Sequence, residues 1–217
     1  MAKMTRKELL NAQDEFVTTT GTIVKLIKEN PLRLAAITAI IVVLITSGIG
    51  FYYWKSNREQ SAMLAYNNAY NNPQLTLQVM QDYADTKAGK LSRLRLAGIA
   101  YNEGDYTMAL NYANEFINSW GHEDIFYWDG IVVIAASYIE LNDTEKGLSL
   151  LDDCIENAPG HIRDQALFYK AQALISLGKN EEARQSLMKI SEKNQDIAKI
   201  SLALIDKNTR ETTDAEQ

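Results

Sequence analysis

The chain has one cysteine, Cys154, among 217 residues, so no internal disulfide can staple it, whichever redox compartment its body faces. A buried small hydrophobe is the role such a residue most often fills. Prolines are also few: Pro31, Pro73 and Pro159 all stand where helices start or stop, and none interrupts a long apolar-periodic stretch. The two histidines, His122 and His161, sit beside glycines just past expected helix ends, where imidazoles face solvent or cap carbonyls more often than they act as bases. There is no phosphate-cradling glycine loop, no metal-ligand spacing, and no base signature beside Cys154. Asp152-Asp153 and Glu181-Glu182 read as solvated helix faces. The expectation is a non-enzyme with no cofactor, no metal and no small-molecule substrate. Positive charge is scarce as well, with 22 Lys and Arg against 28 Asp and Glu and a net charge of −6. No basic stripe is longer than Lys87, Lys90, Arg93 and Arg95, which are spaced as helix surface, so no nucleic-acid partner is expected.

What the chain does have is one long uncharged apolar run, LAAITAIIVVLITSGIGFYY, from Leu34 to Tyr53. A helix of about 20 such residues crosses the hydrocarbon core of a bilayer. Lys25, Lys28 and Arg33 precede it; Phe51, Tyr52, Tyr53 and Trp54 close it with rings suited to the headgroup level, and Lys55 and Arg58 follow. A cleavable secretory signal has a shorter apolar region, roughly 7–15 residues, and a small-x-small exit. Residues 32–54 are thus expected to be a retained transmembrane signal anchor. Lys3, Arg6 and Lys7 add to the basic side of the run, which puts the amino terminus in the cytoplasm and the body across the membrane. Within residues 1–31, Leu9, Leu10, Phe16, Val17, Ile23, Val24, Leu26 and Ile27 alternate with charge, the pattern of an amphipathic helix lying on the bilayer. Thr18-Thr19-Thr20-Gly21 weakens its middle.

After the span, apolar residues recur at three and four, as in Leu91, Leu94, Leu96, Ile99 or Leu167, Leu174, Leu177, so residues 55–207 read as all helical. Three segments superpose without gaps: LAGIAYNEGDYTMALNYA from Leu96, IAASYIELNDTEKGLSLL from Ile134, and KAQALISLGKNEEARQSL from Lys170. Each opens on a small residue (Ala97, Ala135, Ala171), turns at Gly or Asn (Gly104, Asn142, Gly178), and has a second small residue five later (Ala109, Gly147, Ala183). Gly and Asn accept the left-handed conformation that ends a helix, and facing small residues let two antiparallel helices approach closely. The unit is a repeated helical hairpin. SAMLAYNNAYNNPQLTLQVMQDYADT reads as a further helix pair split at Pro73, and IAKISLALIDK from Ile197 as a terminal helix covering the last repeat. Residues 208–217 are a polar tail expected to be disordered.

The order of small residue, turn Gly, aromatic at Tyr106, small residue and exit Pro159 resembles the tetratricopeptide repeat. The aromatic is missing at Thr144, and the turns stand 38 and 36 residues apart where the family uses about 34, so the repeats are divergent. The resemblance implies an all-α helical-hairpin solenoid. The whole chain, with SAMLAYNNA after the aromatic end of the span and AGKLSRLRLA opening the first clear repeat, further resembles the single-span YfgM-like family of ancillary SecYEG translocon subunits. That resemblance implies a protein of the bacterial inner membrane with a periplasmic repeat domain. Its implied partners are Sec translocon subunits, periplasmic chaperones and exported polypeptides, the last passed to the chaperones.

In stacked hairpins the first helices line an inner wall suited to a peptide or a partner's helix. One inner stripe would comprise Leu94 and Tyr101, Val132 and Ile139, then Phe168 and Ile175, each pair two helical turns apart. Two readings stand: an exposed apolar recognition groove, or ordinary core closed over by the first hairpin or the terminal helix. The cluster Trp120, His122, Phe126, Tyr127, Trp128 is either a set of interface anchors or the packing of a lengthened connection. An envelope scaffold coordinating cell-division or cell-wall machinery is the alternative function. A third reading, a cytosolic receptor for acidic chaperone tails, needs basic inner helices, whereas Asp129 and Glu140 lie near this inner face.

Overall fold

A computed structural model describes residues 31–196 except 122, together with 198, 199, 202 and 203. The amphipathic segment expected within residues 1–30, His122, the polar tail 208–217 and most of the terminal helix expected from Ile197 lie outside the described residues. The chain divides into two compact units, Met1–Asn57 and Arg58–Gln217.

The first unit contains most of helix α1, Pro31–Asn68. Pro31 opens it, where a missing N–H leaves no bond unmade. One 18-residue window of α1 has a mean hydropathy of 2.4 and none of it is buried, so this helix is long and apolar enough to cross a membrane. Ile40, Leu44 and Ile45 are all more than half exposed. The Thr46 hydroxyl donates to the Val42 carbonyl at 2.9 Å, which satisfies it within the helix. Phe51, Tyr52, Tyr53 and Trp54 are exposed around the same helix, and helical geometry continues past them to Asn68.

In the second unit, residues 58–68 of α1 are followed by α2 (Pro73–Asp82), α3 (Lys87–Asn102), α4 (Tyr106–Trp120), α5 (Ile125–Glu140), α6 (Thr144–Asn157), α7 (Gly160–Ser176) and α8 (Asn180–Met188). No strand occurs among the described residues. From α2 onward consecutive helices pack on one another, and α3, α5 and α7, the first members of successive hairpins, also touch. That neighbour-only packing is the construction of a helical-hairpin solenoid.

The three aligned turns fold alike. Gly104, Asn142 and Gly178 take φ of 82°, 66° and 75°. Their N–H groups donate to Tyr101, Ile139 and Ile175, and those of the next residues, Asp105, Asp143 and Lys179, reach back to Ala100, Tyr138 and Leu174 at 2.8–2.9 Å. This paired pattern is the Schellman cap, which satisfies carbonyls that a helix end otherwise leaves bare. Ala97, Ala135 and Ala171 are fully buried, as are Ala109 and Ala183. A Cβ at Gly147 would lie 2.5 Å from Ile139 Cγ1 and 2.7 Å from the Ala135 carbonyl oxygen, so α5 and α6 cross at a separation that only glycine permits.

The central core gathers Ile131, Val132, Ile134, Leu151, Cys154 and Ile162. Burial, with Asp153 nearby, pushes the Cys154 thiol up to about 12, so it stays protonated and behaves as a small hydrophobe. Leu174, Leu187, Ile190 and Ala198 close the last hairpin, with Leu202 against them. Asp164 clamps the segment that leads there: its carboxylate accepts from the Ser191 N–H at 3.1 Å, from the Ser191 hydroxyl, and from the Asn194 amide at 2.7 Å.

Candidate partner-binding groove

Helices α3, α5 and α7 share one wall, and along it lie two hollows of about 370 and 420 Å³. Tyr66, Tyr70, Arg95, Asp129, Val133 and Gln165 line the first. Ala136, Ile139, Glu140, Gln172 and Ser176 line the second. Tyr101 and Tyr169 belong to both. Their rings meet edge to face, centroids 6.0 Å apart and planes at 90°, and so form the divide between the hollows. Tyr101 also meets Tyr106 edge-on at 5.4 Å.

The polar groups here are unequally satisfied. Arg95 lies 3.5 Å over the Tyr66 ring and 5.3 Å from that of Tyr70, and its Nη1 donates to the Tyr66 carbonyl at 2.8 Å. Asp129 has no hydrogen bond or ion pair among the described residues, and burial raises its pKa above the ordinary carboxylate value despite an opposing pull from His161. Burial likewise raises the Tyr101 phenol, with Tyr169, Glu140 and Tyr106 adding to it, and the Tyr169 phenol, with Asp129 adding to it. Both phenols remain neutral through the physiological range and can donate hydrogen bonds.

The expected inner stripe divides in three. Tyr101 and Ile139 face the groove. Leu94 lies at its edge, 8% exposed, packed with Phe116 and Trp120. Val132 is fully buried in the central core, and Ile175 packs against the last one. Phe168 lines a separate hollow of about 200 Å³ beside His161, Asp164 and Ile190. His161 is in the first turn of α7, which starts directly after Pro159, rather than beyond a helix end. In α5 and α7 it is the next residue, Val133 and Tyr169, that reaches the groove, since one residue turns a helix by about 100°. The wall consequently mixes aromatic and polar groups with Val133, Ala136 and Ile139 where an apolar stripe is expected.

Tyr66, Tyr70, Arg95 and Tyr169 are groove residues that sequence periodicity passed over. A usable signal existed: Asp129 and Glu140 are the only charged residues in the otherwise apolar α5, and apolar helices place such residues on the face that is not core.

The aromatic candidates occupy the junction of α4 and α5. Trp120 is 5% exposed, its ring against Phe116 at 5.1 Å and Phe126 at 5.6 Å, and its indole N–H donates to Asp124 at 2.9 Å. Asp124 in turn caps α5 by accepting from the N–H groups of Phe126 and Tyr127. Burial alone would raise the Asp124 carboxyl, but these hydrogen bonds outweigh it and hold the pKa below its usual range. Trp128 is 9% exposed and meets the half-buried Tyr127 edge-on at 5.2 Å. Trp120 and Trp128 thus pack the connection.

The tetratricopeptide repeat family model matches residues 165–196, spanning α7, α8 and the short 3₁₀ turn Glu192–Asn194. No curated protein and no solved structure matches the chain. The match, with the three capped turns and the small-residue crossings, supports a tetratricopeptide-type repeat in this chain, and repeats of this kind generally mediate protein–protein interaction.

Proposed function

We propose that this chain is a membrane-anchored interaction protein whose repeat body docks polypeptide partners in the groove along α3, α5 and α7. The observation that carries the reading is the open wall itself: neutral phenols, amides and one uncompensated carboxylate converge where first helices of a repeat solenoid bind partners. The apolar stretch of α1 spans the bacterial inner membrane, with Phe51, Tyr52, Tyr53 and Trp54 at the far interface and the repeats in the periplasm. Tethering raises the effective concentration of groove and client at the bilayer without any further contact.

By its resemblance to the YfgM-like family, the protein attaches to the Sec translocon and passes exported chains to periplasmic chaperones. The groove would hold an extended segment through aromatic and hydrogen-bonding contacts. Isolation of the intact protein in mild detergent after crosslinking in living cells tests this. Recovery of translocon subunits with chaperones and secretory precursors supports it. Recovery of division or wall enzymes without the translocon supports the scaffold alternative, and recovery of neither class overturns both.

A further inference from the structure

We propose that the hollow at Asp129 seats a basic side chain, so that the groove takes an extended polypeptide segment in which a Lys or Arg is flanked by apolar residues. This rests on the reading of the groove as the partner-binding face and adds the chemistry of the partner.

Asp129 is a half-buried carboxylate with no hydrogen bond or ion pair among the described residues; His161 pulls on it electrostatically, but burial outweighs that pull. Burying a charge without a partner is costly, and within a folded body such a group is usually paired. Arg95 lines the same hollow yet forms no ion pair with it; its guanidinium is held by the Tyr66 ring and carbonyl. Tyr101 and Tyr169 flank the site, and their ring faces and neutral hydroxyls suit a cation and its alkyl stem. Val133 and Ala136 supply apolar floor on either side of the tyrosine divide. Across that divide stands a second carboxylate, Glu140, which reinforces the negative potential of the wall. The complement to this surface is cationic at one position and apolar beside it. An acidic tail of the kind other repeat receptors hold would meet like charge.

The test uses the full chain in non-ionic detergent micelles and three fluorescein-labelled peptides about ten residues long, alike except for a central Lys, Met or Glu, read by fluorescence anisotropy. The Lys peptide is expected to bind at least tenfold more tightly than its Glu twin, or about 1.4 kcal/mol, with the Met peptide between them. Asp129→Asn should abolish the Lys preference, and Tyr101→Leu should lower Lys-peptide affinity severalfold. Glu156→Gln, on the exposed side of α6, should change neither. Equal binding of the three peptides, binding of none, or a Lys preference that survives Asp129→Asn overturns the proposal. Because the three peptides are compared on the unaltered chain, the outcome does not depend on the folding of a variant. A charge-blind groove that still recovers translocon subunits from cells would refute this inference alone.

Discussion

Tyr101 and Tyr169 belong to the first and third of the clear repeats, yet their rings touch edge to face at 6.0 Å over the α5 residues between them. Edge-to-face pairs contribute about 0.5–1.5 kcal/mol beyond the area they bury. A double-mutant cycle with Tyr101→Leu and Tyr169→Leu should therefore give a coupling energy in that range by urea unfolding. Strictly additive effects would mean that the rings do not stabilise each other.

The three repeat turns give a graded series. Asn142 holds a left-handed φ of 66°, so Asn142→Gly should be neutral within about 0.5 kcal/mol, whereas Gly104→Ala should cost about 1 kcal/mol. Gly147→Ala forces a methyl to within 2.5 Å of Ile139 and should cost about 1–3 kcal/mol through displacement of α5 from α6. Thermal unfolding of the three variants gives the order, and a silent Gly147→Ala would contradict the close crossing.

Two carboxylates should pull stability in opposite directions with pH. At Asp164, burial works to raise the pKa, but the Ser191 hydroxyl and N–H and the Asn194 amide outweigh it and hold the pKa below the ordinary value. A depressed folded-state pKa gives stability that is full above the unfolded value of about 3.9 and is lost as pH falls through the folded one. Asp164→Ala should cost about 2 kcal/mol at pH 7 and progressively less below pH 4. At Asp129 burial raises the folded pKa, so the ionised form weakens the fold above that value and not below the unfolded one. Asp129→Asn should raise the unfolding midpoint at pH 7 and leave it unchanged near pH 3. Denaturant titrations at both pH values decide each sign.

Anchoring makes its own demand. If α1 is a retained span, the protein stays in the membrane pellet after carbonate washing. Placing Lys at both Leu44 and Ile41 adds about 2.5–3.5 kcal/mol per charge to the cost of insertion and should release it. Release of the unaltered chain would remove the span.

The repeats were legible because their signals are local. A left-handed turn needs Gly or Asn at Gly104, Asn142 and Gly178, and a close crossing needs Ala or Gly at Ala97, Gly147 and Ala183, whatever else packs around them. The groove was legible only in part. Of the expected apolar stripe, Tyr101 and Ile139 line the hollows, whereas Val132 lies in the central core, Ile175 packs against the last one and Phe168 lines a separate hollow. Which flank of a first helix turns inward depends on how its two neighbours cross it, and a shift of one residue moves the line from Val132 to Val133. Burial took Val132 into the core and left Asp129, Tyr169 and Gln172 to the wall beside Val133 and Ile139.

That wall as the working surface is tested most directly by a photo-crosslinking residue placed, one at a time, at Gln172 in the groove and at Glu156 on α6, in the full chain in native membranes. The account predicts discrete protein adducts from Gln172 and none from Glu156. Adducts from Glu156 alone, or equally from both positions, would contradict it.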